Sequence, residues 1–192
     1  MGTKYILRQY KVAFNYLKEC KNYLLAVFLI FLFSGVFGFI FPVFLSELIK
    51  EFIKSIIEKT AGLGTFELIF FIIKNNITSA FFGILLGVAL GIFPILMAML
   101  NGYVLGFVAN SAGKTEGYRV LWQLLPHGMF EIPAIVISLG IGIKIGMFIF
   151  AGRKKKQLAY DLTNGLKVFL LIVLPLLLIA GVIEGVLIIS GR

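Results

Sequence analysis

Apolar runs long enough to cross a lipid bilayer limit this chain to very few folds. A transmembrane helix needs about 20 consecutive apolar residues, and several runs here reach that length. The composition agrees, since 60% of the residues are hydrophobic and only 14% are charged, against about 45–50% and about 25% in soluble domains. Lipid offers no hydrogen-bond partners, so the backbone N–H and C=O groups of such a run must bond to one another, as they do in an α-helix. The sequence therefore predicts an all-α, polytopic membrane helical bundle.

We predict a single membrane domain over residues 1–192, with five transmembrane helices broken by Pro and Gly. Residues 3–21 repeat basic and apolar positions at helical spacing, which indicates a basic interfacial helix. Residues 46–76 carry four Lys and four Glu and are predicted to form an outer amphipathic hairpin. The five predicted spans cover residues 24–45, 77–92, 94–109, 127–150 and 166–189.

The number of spans depends on residues 77–109, which form one long apolar stretch. A straight helix of this length would be about 50 Å long, well beyond a hydrocarbon core of about 30 Å. We therefore divide the stretch near Pro94 into two short crossings. The division also places both basic clusters, the N-terminal arm and Arg153–Lys156, in the cytoplasm, where Lys and Arg are normally in excess. The prediction is a multi-pass protein of the cell membrane, with its N-terminus cytoplasmic and its C-terminus outside.

A second topology has four membrane segments, one of them re-entrant, and the same ends. In it, the Gly- and Pro-rich residues 124–150 enter and leave the membrane on one side as a re-entrant segment. The positions of Lys and Arg are compatible with both topologies, and we favour five spans.

Polar residues inside the apolar runs mark the candidate site. A charge at the centre of a transmembrane helix costs about 2.5–3.5 kcal/mol, so such a residue is a functional-site hypothesis by default. His127, the only histidine of the chain, lies four residues before Glu131, which places both on one helical face. Glu184, Asn101 and Asn76 lie in or beside other predicted spans. In the five-span topology all five lie in the outer half of the bilayer, which predicts one polar intramembrane cluster.

Three interpretations of this cluster remain open. Its side chains can hydrogen-bond one another and hold helices together. They can bind a proton or a cation, since Pro133 lacks an N–H and frees the carbonyl of Met129. In the third, His127, Glu131 and Glu184 ligate a divalent metal such as zinc, with water in an open position. No HExxH motif, Walker A loop or nucleophile elbow accompanies them, so we assign no catalytic residue.

The charged residues outside the cluster point to lipid as a partner. The net charge is +9, and because the basic residues flank apolar spans we expect anionic lipids, not nucleic acid, at the Lys and Arg clusters. Lys144 lies within an apolar run, where we expect it to snorkel or to pair with an acid. The single cysteine, Cys20, excludes an intrachain disulfide and a Cys-based zinc site.

Two ridges of small residues predict close packing between helices. One ridge contains Gly83, Gly87 and Gly91, and the other contains Gly142 and Gly146.

The order of several motifs resembles the stage II sporulation protein M family of membrane proteins. The motifs are Asn75-Asn76 before a Gly-rich span, NGYVLG at 101–106, LPHGMFEIPA at 125–134, GIGIKIG at 140–146 and LLLIAGVIEG at 176–185. The resemblance implies site positions at His127, Glu131 and Glu184, with Asn76 and Asn101. It also implies a membrane scaffold, since such proteins of sporulating bacteria are linked to cell-wall-degrading partners during engulfment.

We therefore expect a non-enzymatic scaffold that organises partner proteins, as a homodimer or within a larger membrane-protein complex. Its expected docking surface is the amphipathic helix at residues 46–59. One alternative is a component of an ion- or proton-coupled transporter or channel. A further alternative is a metal-dependent intramembrane hydrolase that uses His127, Glu131 and Glu184.

Overall fold

The computed structural model describes residues 2–117 and 121–190, and of residues 2–3, 116, 121, 123–127 and 188–190 it describes the backbone alone. The described residues form a helical bundle without a strand. Within them, five helices are long and apolar enough to cross a membrane: Lys4–Ile40, Thr65–Val88, Ile92–Thr115, Gly128–Phe150 and Lys154–Leu187. The predicted all-α polytopic class is confirmed, and the chain is a multi-pass membrane protein.

Seven α-helices make up the described part of the chain. Short 3-10 turns follow α3 and α5, and a π-helical turn at Phe169–Val173 joins α6 to α7 without a break. The helices are α1 (Gly2–Ile40), α2 (Ser46–Thr60), α3 (Thr65–Leu85), α4 (Ile92–Glu116), α5 (Leu121–Gly146), α6 (Lys154–Val168) and α7 (Leu174–Ser190).

Helix α1 differs from the predicted interfacial helix at 3–21 and span at 24–45. It is a single helix of 39 residues, about 58 Å long at 1.5 Å per residue. No proline or glycine lies between Gly2 and Gly35, so nothing stops the helix where the polar residues give way to apolar ones. It ends at Ile40 because the residue before Pro42 is pushed out of the helical region. The basic arm is thus the first half of the first spanning helix.

Helices α3 and α4 share the long apolar stretch that was predicted to contain two spans. Both spans are longer than predicted: they cover Thr65–Val88 and Ile92–Thr115, 24 residues each, instead of 77–92 and 94–109. Neither requires a thinned bilayer, since about 20 residues suffice. Residues 65–76, the second part of the outer hairpin predicted at 46–76, therefore belong to α3. The last span also begins earlier than residue 166, because α6 and α7 are continuous.

A tight turn at Leu90 and Gly91 separates α3 from α4. Their φ angles are 60° and 69°, a left-handed backbone that suits glycine and is strained for leucine. Pro94 follows in the first turn of α4, where its missing N–H leaves no helical hydrogen bond unmade. The break therefore lies a few residues before the predicted one, and Pro94 helps to begin the next helix.

The predicted glycine ridges bring α3 and the turn after it into backbone contact with α5. A Cβ atom built on Gly87 would overlap the carbonyl oxygen of Gly142, and one built on Gly146 would overlap the backbone nitrogen of Gly91. The prediction of close packing is confirmed at these positions. Because the contacts advance along both helices together, α3 and α5 run parallel.

The same kind of contact joins α1 and α4, a pair that the sequence analysis did not identify. A Cβ on Gly102 would overlap the carbonyl oxygen of Phe31, and one on Gly106 would overlap that of Gly35. These two helices are also parallel. Helices α3 and α7 are antiparallel, because the order of their contacts is reversed. Gly181 meets Ile73, and Gly185 meets Ile69.

Helix directions therefore alternate along the chain, as five crossings require. The described part of the chain has five helices of spanning length, as predicted. Helix α5 continues as one helix to Gly146, which favours a full crossing over the re-entrant alternative for residues 124–150. The main core lies where α1, α3, α5 and the α6–α7 helix meet, with buried residues that include Ala13, Cys20, Ile84, Ile141, Ile145 and Val173.

Helix α2 lies against α4, outside this core. Ile49 is fully buried beside Tyr103 and Phe107. The hydroxyl of Tyr103 donates a 2.7 Å hydrogen bond to the carbonyl of Phe41 and accepts one of 3.2 Å from the backbone N–H of Leu45. These bonds fix the turn between α1 and α2 to the bundle.

Candidate functional site

Two of the five predicted site residues are brought together where α5 packs against α7. Glu131 lies on α5 and Glu184 on α7, and the two helices pack along one another. The charges of the two carboxylates are close enough to interact. Both side chains are half-buried, and both lie inside spanning helices. Two negative charges that lie close together in a bilayer repel each other. Any function of this pair must therefore include a group or an ion that offsets the repulsion.

The π-helical turn at Phe169–Val173 sets the direction of Glu184. In a continuous α-helix, Glu184 and Asp161 would point about 140° apart. One extra residue in a turn rotates the rest of the helix by about 100° and brings the two onto nearly the same face. Both then face α5, where they meet different partners.

His127 lies one helical turn before Glu131 on α5, and its side chain is outside the described part of the structure. Its approach to the carboxylates therefore stays a prediction. Helix α5 begins at Leu121, before the predicted span at 127–150. No three His, Cys, Asp or Glu side chains gather into a metal-binding group among the described residues. The predicted metal set includes His127 and so stays a prediction too.

Asn101 and Asn76 form no described hydrogen bond with the carboxylate pair. The side-chain amide of Asn101 donates a 2.8 Å hydrogen bond to the carbonyl of Met97, one turn earlier in α4. Asn101 also borders a void of about 10 Å³ with Ser79 of α3 and Ile135 of α5. Glu131 lies one turn before Ile135 in α5, and the half-buried Asn76 lies one turn before Ser79 in α3. The four predicted polar residues with described side chains thus occupy neighbouring turns of α3, α4, α5 and α7.

A second polar cluster, which was not predicted as a site, lies at the other end of α5. The Lys144 Nζ atom lies 2.9 Å from Glu19 Oε2 and 3.4 Å from Asp161 Oδ1. It also lies 4.1 Å from the ring centroid of Tyr16, in cation–π geometry. We define the Lys144 cluster as these four residues together with Gln157 and Tyr160.

Each carboxylate oxygen of the Lys144 cluster has a donor. Tyr16 and Gln157 donate to the two oxygens of Asp161, at 3.0 and 2.8 Å. Tyr160 donates to Glu19 Oε1 at 2.9 Å. Only 1% of the Asp161 side chain and 11% of that of Lys144 are exposed. Buried charges are tolerated when they are paired and hydrogen-bonded in this way, so the cluster fastens α1, α5 and α6 together.

The sequence carried one signal of this cluster, the lysine within an apolar run. The expected pairing of Lys144 with an acid is confirmed, but its partners could not be named. Glu19 is 125 residues away along the chain, and nothing in its own neighbourhood indicates a buried partner. We call the end of the bundle that holds this cluster, where α1 and α6 begin and α5 ends, the basic end.

The chain belongs to the stage II sporulation protein M family, whose model matches residues 26–187. An uncharacterized protein of Methanocaldococcus jannaschii is 29% identical over 180 residues, which cover 86% of this chain and 80% of that protein. A second uncharacterized protein of the same organism is 29% identical over 119 residues, covering 59% of this chain and 66% of that protein. No solved structure gives a significant match. The family resemblance inferred from the motifs is confirmed.

Proposed function

We propose that this chain is a membrane scaffold that organises partner proteins, and that α2 is its docking element. The observation that carries the proposal is that α4 covers only part of the apolar face of α2. Ile49 is buried against α4, whereas Leu48 and Phe52, which border a cavity with it, remain 56% and 51% exposed. A helix that served only to cap the bundle would bury its apolar face against it. The uncovered part of the face fits the apolar face of a helix from a partner, including a second copy of this chain.

The charges of α2 favour apolar docking. Lys50 lies 3.5 Å from Glu47, and Lys54 lies 3.9 Å from Glu58, so the polar side of the helix is largely paired with itself. Exposed pairs of this kind contribute little to affinity. Leu48 and Phe52 are therefore the residues that we expect to carry the contact.

The packing of the spans supports a static bundle over a transport pathway. Glycine ridges hold α1 against α4 and α3 against α5 at backbone contact. The void of about 10 Å³ between α3, α4 and α5 has room for about one water molecule. A scaffold needs such rigidity, whereas alternating access needs helix groups that rock against one another.

We also propose that the basic end is cytoplasmic, which places α2 and the C-terminus outside. The support is the excess of Lys and Arg at the start of α1 and at Arg153–Lys156. Partners of α2 would then be met on the outer side of the membrane.

The experiment that tests the scaffold measures mass by light scattering on purified protein in several mild detergents. We expect the wild type to be a dimer or larger, and Phe52→Lys to shift it toward the monomer. Lys50→Gln is the matched control on the polar side of α2 and should leave the mass unchanged. A monomeric wild type in every detergent would contradict self-association, and equal effects of both variants would contradict α2 as the docking element.

A second function is favoured by the pairing of Glu131 with Glu184. A shared proton or a bound cation would stabilise two carboxylates that interact inside spanning helices, as in a coupled transporter or channel component. Flux of protons and monovalent cations into liposomes tests this candidate, with Glu131→Gln as the variant. Flux above that of empty liposomes and lost in Glu131→Gln would support transport, and flux that the variant leaves unchanged would remove its main support.

A further inference from the structure

The net charge of the chain is concentrated at the basic end. The cations there lie in the first half of α1 and at Arg153–Lys156. The two acidic residues of this end, Glu19 and Asp161, both turn toward Lys144, whose single positive charge offsets one of their two negative charges. The surface of this end is nevertheless basic, because Asp161 is buried and the cations outnumber both acids.

A cavity of about 270 Å³ opens beside the Lys144 cluster, between α1, the turn after α5 and α6. One part of its lining is polar and consists of Tyr23, Lys144, Gln157 and Asp161. The rest of the lining is apolar and includes Met147, Phe148 and Phe150. Phe150 is 75% exposed, which a large aromatic side chain tolerates far better against lipid than in water. The cavity therefore combines polar residues with apolar residues suited to lipid.

Helix α6 adds positive charge at the mouth of this cavity. Lys154 lies one turn before Gln157 and two turns before Asp161, so the three share one face of the helix. Lys155 is turned about 100° away from Lys154 around the helix. The free N–H groups of the first turn of α6 add a partial positive charge at the same place.

We propose that the cavity binds an anionic phospholipid from the leaflet at the basic end. The negatively charged headgroup lies against Lys154 and the start of α6, and an acyl chain lies along Met147, Phe148 and Phe150. A soluble anion would gain nothing from the apolar wall, and a neutral lipid would gain nothing from the basic rim. An anionic amphiphile uses both. This inference does not depend on the scaffold function.

The test places a single tryptophan at the cavity and measures its quenching by brominated lipids. The reporter is Phe150→Trp, and Trp122→Phe removes the only native tryptophan. The full chain is reconstituted into phosphatidylcholine vesicles that contain brominated phosphatidylglycerol or, at the same fraction, brominated phosphatidylcholine. We expect the brominated phosphatidylglycerol to quench more strongly, which reports its enrichment at the cavity.

Two matched variants decide whether the cavity is responsible. Lys154→Gln should lower the preference for phosphatidylglycerol about fivefold, the effect of about 1 kcal/mol per basic residue at an anionic surface. Lys155→Gln removes the same charge from another part of the α6 surface and should lower the preference for phosphatidylglycerol far less. Equal losses in both variants, or no preference in the parent, would overturn the proposal. If glycerol 3-phosphate abolished the quenching by brominated phosphatidylglycerol, the cavity would bind a soluble phosphate compound. That result would overturn the proposed lipid site.

Discussion

Lys144 supplies the positive charge that makes the buried carboxylate of Asp161 tolerable. In Lys144→Met the side chain keeps its length, and Asp161 is left beside Glu19 without a cation. Removal of one partner from a buried ion pair costs about 3–5 kcal/mol. We expect the midpoint of thermal unfolding in detergent to fall by roughly 10 °C.

Two further variants separate charge from packing. Lys155→Met removes an exposed lysine from α6 and should leave the midpoint unchanged. Asp161→Asn, added to Lys144→Met, should recover part of the loss, because the neutral amide can still bond to Tyr16 and Gln157. A double variant as unstable as Lys144→Met alone would show that the uncompensated charge is not the cause.

The metal hypothesis for His127, Glu131 and Glu184 is tested by metal content. Because we propose a scaffold, we expect purified protein to contain far less than one zinc ion per chain, in the wild type and in His127→Ala alike. Elemental analysis of protein that was never exposed to chelators measures this directly. Stoichiometric metal in the wild type that is lost in His127→Ala would instead favour the hydrolase, since three ligands and a water make a catalytic zinc site.

Single charged residues in apolar runs could be recognised from the sequence, because the cost of a charge in lipid belongs to the residue itself. This argument identified Glu131, Glu184 and Lys144. It could not supply partners, which depend on how distant segments meet. Glu19 reaches Lys144 only because α1 packs beside α5, and Glu184 faces α5 only because a π-helical turn rotates α7.

The contact between α1 and α4 depends on glycines that leave no room for a side chain. Gly106→Ala would place a methyl group against the backbone of Gly35 and force the helices apart. Overpacking of this kind costs about 1–3 kcal/mol, so we expect a lower thermal midpoint and a smaller monodisperse yield. Gly152→Ala is the control, since open space surrounds that position. Equal stability of the two variants would contradict a tight α1–α4 contact.

The types of the helices were predicted better than their bounds. Helix α2 was predicted at 46–59 and lies at Ser46–Thr60, since Gly62 and Gly64 give a local signal for its end. Helix α1 was divided in two because its composition changes near Leu24, yet a change from polar to apolar residues does not stop a helix. Only a residue that opposes helical backbone does so, and here that residue is Pro42.

Charge bias is a property of the whole chain, and it limited the possible numbers of crossings without choosing between the two topologies. Lys and Arg cluster at the start of α1 and at Arg153–Lys156, and these clusters can share one side only if an even number of spans separates them. The alternating helix directions agree with that count. The end of the bundle that faces the cytoplasm stays a prediction, since the same bundle could be inserted either way up.

Labelling of single cysteines tests the orientation. Lys54 lies on α2 and Lys155 at the start of α6, at opposite ends of the bundle, and both side chains are exposed. In a Cys20→Ser background, a membrane-impermeant maleimide should label a cysteine at position 54 in intact cells and one at position 155 only after the membrane is opened. The physical reason is that moving the basic end across the membrane would place its excess Lys and Arg on the outer side. The reverse pattern would invert the orientation and leave the fold intact, whereas labelling of both positions from one side would contradict the five crossings themselves.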